Sequence, residues 1–425
     1  MQSPVTTSWT VVSSTERPAI HDARRGEAVS TRIRTHRVGV TMALFGLSSL
    51  LLLPFATLRA SRIQTGDPVS ALDALGPWWS SGLVAVWVAI ALISVRDSGG
   101  PRAAAARGML ASLALLGTVG LSGIAATRLL AEAGTFARVS VGLGAWACIA
   151  VSYPLLLASR RELGTAPRAT RLALSAVGPV GLLVMVGSGL LGDLAILREY
   201  VNQSDRFWTE VGSHIAFTAI ATGIALAIGF GLGVLAFRRP RLRGPVFTVA
   251  NVFQTIPGLA MVGLLFAPLS WLGTNVPLLG RLGVGGLGWA PVITALTLYA
   301  LLAVVRNTYA GLASVPDSVV EAGLGMGMTE GQVMRRVRLP LALPVIFGGI
   351  RTSAVQTLGN ATLGAFVAAG TLGLFVFGGL SQQAMDLVLL GSITLVALAL
   401  GLDAALRTAQ RLVTPRHTRR TEAVR

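Results

Sequence analysis

Apolar stretches of about 20 residues, the length at which a helix crosses a lipid bilayer, alternate with short polar segments along most of the chain. The pattern predicts ten spans, at residues 38–58, 78–95, 109–127, 139–159, 172–192, 211–237, 246–268, 289–308, 343–369 and 387–407. The short alternating strands of a membrane β-barrel are not apparent in the sequence. We therefore predict an all-α polytopic protein embedded in membrane lipid.

Positive charge is distributed unevenly among the loops. Of the 425 residues, 53% are hydrophobic and 12% are charged, and all 35 basic residues are arginines. They concentrate in the two termini and in the loops after the second, fourth, sixth and eighth spans, as the positive-inside rule requires of cytoplasmic segments. We predict cytoplasmic termini, with residues 193–210 and 269–288 outside. The net charge of +17 is then explained by the cytoplasmic location of the basic segments, and no nucleic-acid partner is expected.

The polar segment at residues 193–210 is the predicted boundary between two parts of the chain. A basic tail (1–37) and a five-helix membrane region (38–192) precede it, and a second five-helix domain (211–407) and a basic tail (408–425) follow it. Five spans on each side fit an inverted repeat. No sequence similar to the loop motif described below occurs in the first half, so we favour a helix bundle appended to a separate core.

Few residues in the chain offer catalytic or metal-binding chemistry. The chain has no lysine, which a Walker A loop requires, so we expect it not to be its own ATPase. Cys148 is the single cysteine and the four histidines are scattered, so we expect no disulfide, no metal and no cofactor. A membrane enzyme or an ion-coupled transporter would need ionisable groups within its spans. The core spans offer essentially only Asp403, which disfavours both classes.

The loop at residues 314–340 carries the signals of two short helices. Ser314 and Thr329 each begin a capping box, and a bend is expected near Gly327 and a helix stop at Pro340. The side chains expected on its exposed face are Met326, Met328, Val333 and Met334. Taken alone, these features also fit an ordinary amphipathic connector between two spans.

The spacing within this loop resembles a known motif. Glu321-Ala322-Gly323, then Gly327, then Val337-Arg338-Leu339-Pro340 resemble the EAA loop of binding-protein-dependent ABC importer permeases, with Gly323 and Val337 as mild departures. The resemblance implies a cytoplasmic loop that docks on a partner ABC ATPase, which hydrolyses the ATP. The residues implied in this coupling are Glu321, Ala322, Gly323, Gly327, Leu339 and Pro340.

A second resemblance covers about residues 200–410. Residues 251–260, 349–352 and 360–363 are similar to motifs of osmoprotectant permeases of the glycine betaine/carnitine/choline group. The resemblance implies a methionine-importer-like type I permease with an extended N-terminal membrane region, in the bacterial plasma (inner) membrane. It also implies an extracytoplasmic solute-binding protein and a second permease subunit, as a homo- or heterodimer. The expected function is ATP-driven import of compatible solutes such as glycine betaine, and the alternative cargo is an amino acid or another small solute.

Polar residues within the spans are candidates for the transport pathway, because such groups face the helix bundle or water. The candidate set is Gln254, Thr255, Pro257, Tyr299 and Asn360, and interhelical hydrogen bonding is the equal alternative for each polar side chain. Pro257 is included because proline frees backbone carbonyls. We further expect Arg351 to snorkel or to pair structurally, and Gly229 and Gly233 to mark close helix packing.

Overall fold

The computed structural model describes residues 36–413, apart from residues 63, 97–99 and 166. Within this part of the chain, nine helices are long and apolar enough to cross a membrane. The predicted all-α membrane fold class is thereby confirmed. The predicted tails at residues 1–37 and 408–425 lie largely outside the described residues.

The first region of the chain combines six helices with a small sheet. The helices are α1 (Arg37–Leu52), α2 (Ala71–Leu75), α3 (Pro77–Val95), α4 (Pro101–Ala131), α5 (Leu143–Glu162) and α6 (Arg168–Gly187), with a 3-10 turn at Leu163–Thr165 after α5. The strands are β1 (Ala56–Arg59), β2 (Asp67–Val69) and β3 (Arg138–Val141), in the antiparallel order β2-β1-β3. Trp87 of α3 is buried against α1, where a Cβ at Gly46 would lie 2.6 Å from its ring, so the glycine permits this close packing.

The predicted span at residues 38–58 is wrong in its last six residues. α1 ends at Leu52, because Pro54 favours an extended conformation for Leu53, which has φ −107° and ψ 152°. The chain then enters β1, the central strand of the sheet. Strands of three or four residues are too short to show an alternating pattern, so the sequence does not predict them.

Within the described residues, the secondary structure elements of the second region are all helices. Its helices are α7 (Ala195–Asn202), α8 (Ser204–Arg238), α9 (Pro240–Thr255), α10 (Gly258–Asn275), α11 (Pro277–Arg281), α12 (Trp289–Ala313), α13 (Asp317–Gly325), α14 (Glu330–Val333), α15 (Leu339–Asn360), α16 (Gly373–Ser381) and α17 (Met385–Val413). A π-helical turn, Met334–Arg338, precedes α15, and a 3-10 segment, Ala361–Val367, follows it. We call the end of the bundle that carries residues 314–340 the loop end, and the opposite end, where α8 begins, the far end.

Helix α12 lies at the centre of the second region and packs against α8 and α15. A Cβ at Gly229 of α8 would lie 2.9 Å from Val304, and one at Gly233 would lie 2.6 Å from Thr308. Side chains at these two glycines would therefore push α8 away from α12. The predicted close packing at this small-residue pair is confirmed.

Polar contacts join the two regions at the far end. Asp386, at the start of α17, accepts a hydrogen bond of 2.7 Å from Ser140 of β3 and lies 3.4 Å from Arg59 of β1. Asp193, before α7, accepts from Arg198 at 2.8 Å and from the Thr127 hydroxyl of α4 at 2.9 Å, and these hydrogen bonds hold the pKa of its carboxyl below its usual range. The N-terminal helices are therefore fastened to the second region by charged groups as well as by the chain connection.

Candidate coupling loop and substrate pathway

A sharp turn separates α13 from α14 at the loop end. Gly327 has a φ of +81°, a left-handed conformation that glycine adopts without strain. Thr329 then caps α14: its hydroxyl accepts from the Gln332 backbone N–H at 3.3 Å, and the Gln332 side chain accepts from the Thr329 backbone N–H at 2.9 Å. The predicted bend and the second capping box are confirmed.

Three other expectations for this loop are wrong. Ser314 does not cap α13, because it ends α12 and its hydroxyl donates to the Gly311 carbonyl at 2.8 Å. Val333 is buried rather than presented, and a Cβ at Gly323 would lie 3.3 Å from it. Pro340 does not stop a helix, because it lies in the first turn of α15.

The π-helical turn explains how a helix passes through Pro340. The backbone N–H of Leu339 donates to the carbonyl of Met334, five residues back, instead of four. This wider turn stands directly before the proline, which has no N–H to continue the regular pattern. The helical path therefore runs without a break from Glu330 in the loop to Val367 deep in the bundle.

The residues implied in coupling differ in accessibility. Glu321, Ala322 and Gly327 are exposed, Gly323 is buried, and Leu339 and Pro340 are half-buried. Met326, beside the turn, is 73% exposed and is the most accessible apolar side chain of the loop. The accessible part of this set is thus the surface of α13 and the turn that follows it.

Arg338 links the loop to the membrane helices, a role that sequence reasoning missed. Its guanidinium lies 3.7 Å from the Asp317 carboxylate on α13 and donates to the Leu312 carbonyl on α12 at 3.5 Å. Its Cζ atom also stands 5.0 Å from the ring centroid of Phe237, at the end of α8. The same side chain lines a cavity of about 540 Å³ between the loop and α8. One cation therefore touches three helices, which no spacing rule could have indicated.

A backbone break lies among the pathway candidates. The predicted span at residues 246–268 is wrong as a single helix, because α9 ends at Thr255 and α10 begins at Gly258. Pro257 lacks an N–H and holds Ile256 in an extended conformation, with φ −73° and ψ 126°. The Ile256 carbonyl accepts a hydrogen bond of 2.7 Å from the Tyr299 hydroxyl on α12.

Gln254 strengthens the joint between this break and α12. Its side-chain amide donates to the Tyr299 carbonyl at 2.9 Å. Tyr299 itself is only 6% exposed, so its ring lies inside the bundle and its hydroxyl is already bonded. In this conformation Gln254 and Tyr299 act as interhelical joints around Pro257.

The other two candidates do not join this hydrogen-bonded cluster. The Thr255 hydroxyl is exposed and donates to the Val252 carbonyl of its own helix at 2.8 Å. Asn360 is half-buried at the end of α15. Three residues beyond it, Leu363 packs on the start of α10, where a Cβ at Gly258 would lie 2.6 Å away. The structure therefore brings three of the five candidates together.

Sequence reasoning also missed a polar face on α8. Glu210, His214 and Thr218 recur every four residues along this helix, and all three are buried. The His214 Nε2 atom lies 2.9 Å from the Leu358 carbonyl on α15. Polar residues at this spacing fall on one side of a helix, so the signal was present in the sequence.

The single carboxylate expected in the core spans is paired. Asp403 of α17 accepts from the guanidinium groups of Arg351 and Arg407. The structural pairing expected for Arg351 is confirmed. Among the residues that the structure describes, no group of three or more His, Cys, Asp or Glu side chains could hold a metal ion.

Two family models match the chain. A model described as the binding-protein-dependent transport system inner membrane component matches residues 215–419. A model described as the N-terminal domain of the ABC transporter permease YehY matches residues 36–197. The two matches account for most of the chain and leave residues 198–214, in α7 and the start of α8, between them.

Individual relatives match about half of the chain. The osmoprotectant import permease protein OsmW of Salmonella typhimurium is 40% identical over 206 residues, which is 48% of this chain and 91% of that protein. The choline transport system permease protein OpuBD of Bacillus subtilis is 36% identical over 229 residues, which is 54% of this chain and 94% of that protein. An inward-facing structure of the MetNI methionine ABC transporter matches with a TM-score of 0.45 and 24% identity, over 50% of this chain and 99% of that one.

These matches also decide between the classes of protein that the sequence left open. Members of the matched family are membrane components of transport systems and not enzymes. The chain covers nearly the whole length of two relatives, to which the aligned residues are 40% and 36% identical. The chain therefore belongs to the family of binding-protein-dependent transport system inner membrane components, the permease subunits of ABC importers.

Proposed function

We propose that this permease subunit imports compatible solutes, with glycine betaine or a related quaternary ammonium compound as the cargo. The observation that carries the proposal is the similarity to permeases named for osmoprotectant import and for choline transport, at 40% and 36% identity over nearly their full length. A third relative, from Bacillus subtilis, is named for glycine betaine, carnitine and choline together and is 35% identical over 88% of its length.

The proposed orientation places the loop end in the cytoplasm, with both termini on the same side. The arginine-rich loops support it, because basic residues near the ends of membrane helices mark the cytoplasmic face. An ABC ATPase would then dock on the exposed surface of α13 and on the turn at Gly327. A solute-binding protein would deliver the cargo at the far end, and a second permease subunit would complete the translocation unit.

The proposed mechanism passes through Arg338, which lies in the π-helical turn of the continuous helix that leads out of the loop. When the partner ATPases close, they would move α13 and α14 as one unit, and Arg338 would transmit this movement to α8 and α12. Tyr299 of α12 holds the carbonyl at the α9–α10 break, so a shift of α12 alters the break directly. Opening of that joint would release Gln254 and the Ile256 carbonyl toward the pathway.

The affinity for the cargo is proposed to reside in the binding protein rather than in this chain. A quaternary ammonium group has no hydrogen to donate, so tight binding calls for aromatic faces around it. Tyr299 is the aromatic residue of the candidate pathway set, and its ring is packed inside the bundle. The permease would therefore hold such a solute weakly and transiently.

Reconstitution tests this function. The chain, its ATPase and its binding protein would be placed in proteoliposomes, and uptake of radiolabelled glycine betaine, choline and histidine would be measured with and without ATP. We expect ATP-dependent uptake of a quaternary ammonium solute that disappears when the binding protein is left out. Uptake of histidine but of neither quaternary ammonium solute would overturn the proposed cargo. High-affinity glycine betaine binding to this chain alone would overturn the proposal that the affinity resides in the binding protein.

A further inference from the structure

A second cavity lies at the far end, between the N-terminal region and the permease core, with a volume of about 550 Å³. Arg62, in the β1–β2 connection, and Arg138 of β3 line it from one side, and Gln382 and Leu387 line it from the other. Helix α8 is 35 residues long, so about 50 Å separates the cavity from the coupling loop. The function proposed above uses neither the cavity nor its arginines.

Positive charge exceeds negative charge in the lining. Glu199 of α7 is the single carboxylate there; it is 4% exposed and lies 3.0 Å from the Arg62 guanidinium. Arg206 also lines the cavity and lies 3.6 Å from Glu210, one turn along α8. These two arginines therefore have carboxylate partners within the protein.

Arg138 has no such partner. It stands directly opposite Arg59 in the register of β1 and β3, where like charges on one face of a sheet repel. Asp386 pairs with Arg59 at 3.4 Å, whereas the guanidinium of Arg138 donates only to the Ala137 carbonyl, at 3.1 Å. The buried Nε atoms of both arginines lack a hydrogen-bond partner. No carboxylate of a described residue lies within ion-pair distance of Arg138. The cavity is thus short of one negative charge.

The rest of the lining indicates what kind of anion would fit. Leu374 and Phe375 of α16 form an apolar wall, and Gln203 and Gln382 supply side-chain amides. The volume of about 550 Å³ is within the range of small-molecule sites. A guanidinium pairs with a carboxylate through two parallel hydrogen bonds, and an apolar wall favours a hydrocarbon body on the same molecule.

We propose that this cavity binds a small organic carboxylate, with Arg138 as its anchor, and that the bound molecule bridges the N-terminal region and the permease core. The carboxylate supplies the charge that the Arg59–Arg138 pair lacks, and its apolar body lies against Leu374 and Phe375. Because the lining comes from both regions, an occupied cavity favours their packed arrangement. The proposal does not rest on the proposed cargo, and glycine betaine, which is itself a carboxylate, is left out of the binding assay so that the two proposals are tested separately.

Direct binding to the full chain tests the proposal without the ATPase or the binding protein. The chain would be placed in nanodiscs of zwitterionic phosphatidylcholine, and binding of pentanoate and of pentan-1-ol would be compared by calorimetry. We expect saturable binding of pentanoate and none of pentanol, which has the same chain length but no charge. Arg138→Gln should weaken pentanoate binding by at least about tenfold, the loss expected for a charge-assisted hydrogen bond, and Arg281→Gln, an exposed arginine outside the cavity, should not.

A second variant covers the case in which Arg138→Gln does not fold. Leu374→Trp fills the cavity from its apolar wall and leaves every arginine in place, so it should also abolish pentanoate binding. Equal pentanoate affinity in wild type and in either cavity variant would overturn the proposal. Equal binding of pentanol would also overturn it. So would inorganic phosphate, or the anionic phosphatidylglycerol of a nanodisc, if it competed with pentanoate for the cavity with the affinity of pentanoate. Each of these results leaves the reconstituted transport assay unaffected, so the two proposals fail separately.

Discussion

Replacing Gly327 by alanine isolates the contribution of one backbone conformation to coupling. Gly327 has a φ of +81°, whereas Gly325, two residues earlier, is the last residue of α13 and has no positive φ. A Cβ at either position would meet no atom within 4 Å. The two substitutions therefore differ in backbone strain and not in packing, which makes Gly325→Ala the matched control.

The magnitude follows from the conformation alone. A residue with a Cβ pays about 1–2 kcal/mol in the left-handed region, which corresponds to about a 5- to 30-fold loss in the population of the bent turn. Gly325→Ala should instead favour α13 by about 0.5–1 kcal/mol. Because the space around Gly327 is open, Gly327→Leu should reduce the population of the bent turn as much as Gly327→Ala does. Gly327→Asn should cost less, since asparagine tolerates this region.

The assay is the number of solute molecules taken up per ATP hydrolysed, measured in proteoliposomes that contain the ATPase and the binding protein. We expect this ratio to fall for Gly327→Ala and to stay unchanged for Gly325→Ala, at equal amounts of inserted permease. The reasoning would be refuted by a wild-type ratio for Gly327→Ala. An equal fall for Gly325→Ala would refute it as well, because that variant carries no backbone strain.

Two further predictions concern topology and Arg338. In a Cys148→Ala background, Asp205→Cys and Ser318→Cys, both exposed, should react with an impermeant maleimide from opposite sides of the membrane, and labelling from one side would contradict the proposed orientation. Arg338→Met keeps an apolar stem but loses the polar contacts of the guanidinium, so uptake per ATP should fall about two- to fivefold, as expected for about 0.5–1 kcal/mol from a long hydrogen bond and an ion pair to the exposed Asp317. The exposed Arg335→Met is its control, and an equal fall in both variants would show that loop charge alone matters.

The features predicted well from the sequence are those that depend on neighbouring residues. The capping box at Thr329 and the bend at Gly327 each follow from the chemistry of a few adjacent positions. Even there the prediction was incomplete. Pro340 was expected to end a helix, and only the π-helical turn before it shows how the helix continues.

The features that the sequence could not supply depend on residues far apart in the chain. Arg59 and Asp386, which lie 327 positions apart, meet only because the small sheet of the first region packs beside α17. The contacts of Arg338 with three helices are equally unpredictable from the sequence, because each of them exists only once these helices have packed together. The polar face that includes His214 was within reach of a periodicity argument, but its contact with α15 was not.

Helix α12 connects the residues proposed for coupling with the residues proposed for the pathway. Tyr299 holds the carbonyl at the α9–α10 break, and Leu312, about 20 Å further along the same helix, accepts the hydrogen bond from Arg338. Between these points Gly229 and Gly233 of α8 pack directly against α12, which leaves no room for one helix to move without the other. Close-packed interiors shift between discrete arrangements rather than deform gradually. We therefore propose that a displacement imposed on Arg338 at the loop end would be passed to Tyr299, where the break in the bundle would convert it into a change in the proposed pathway.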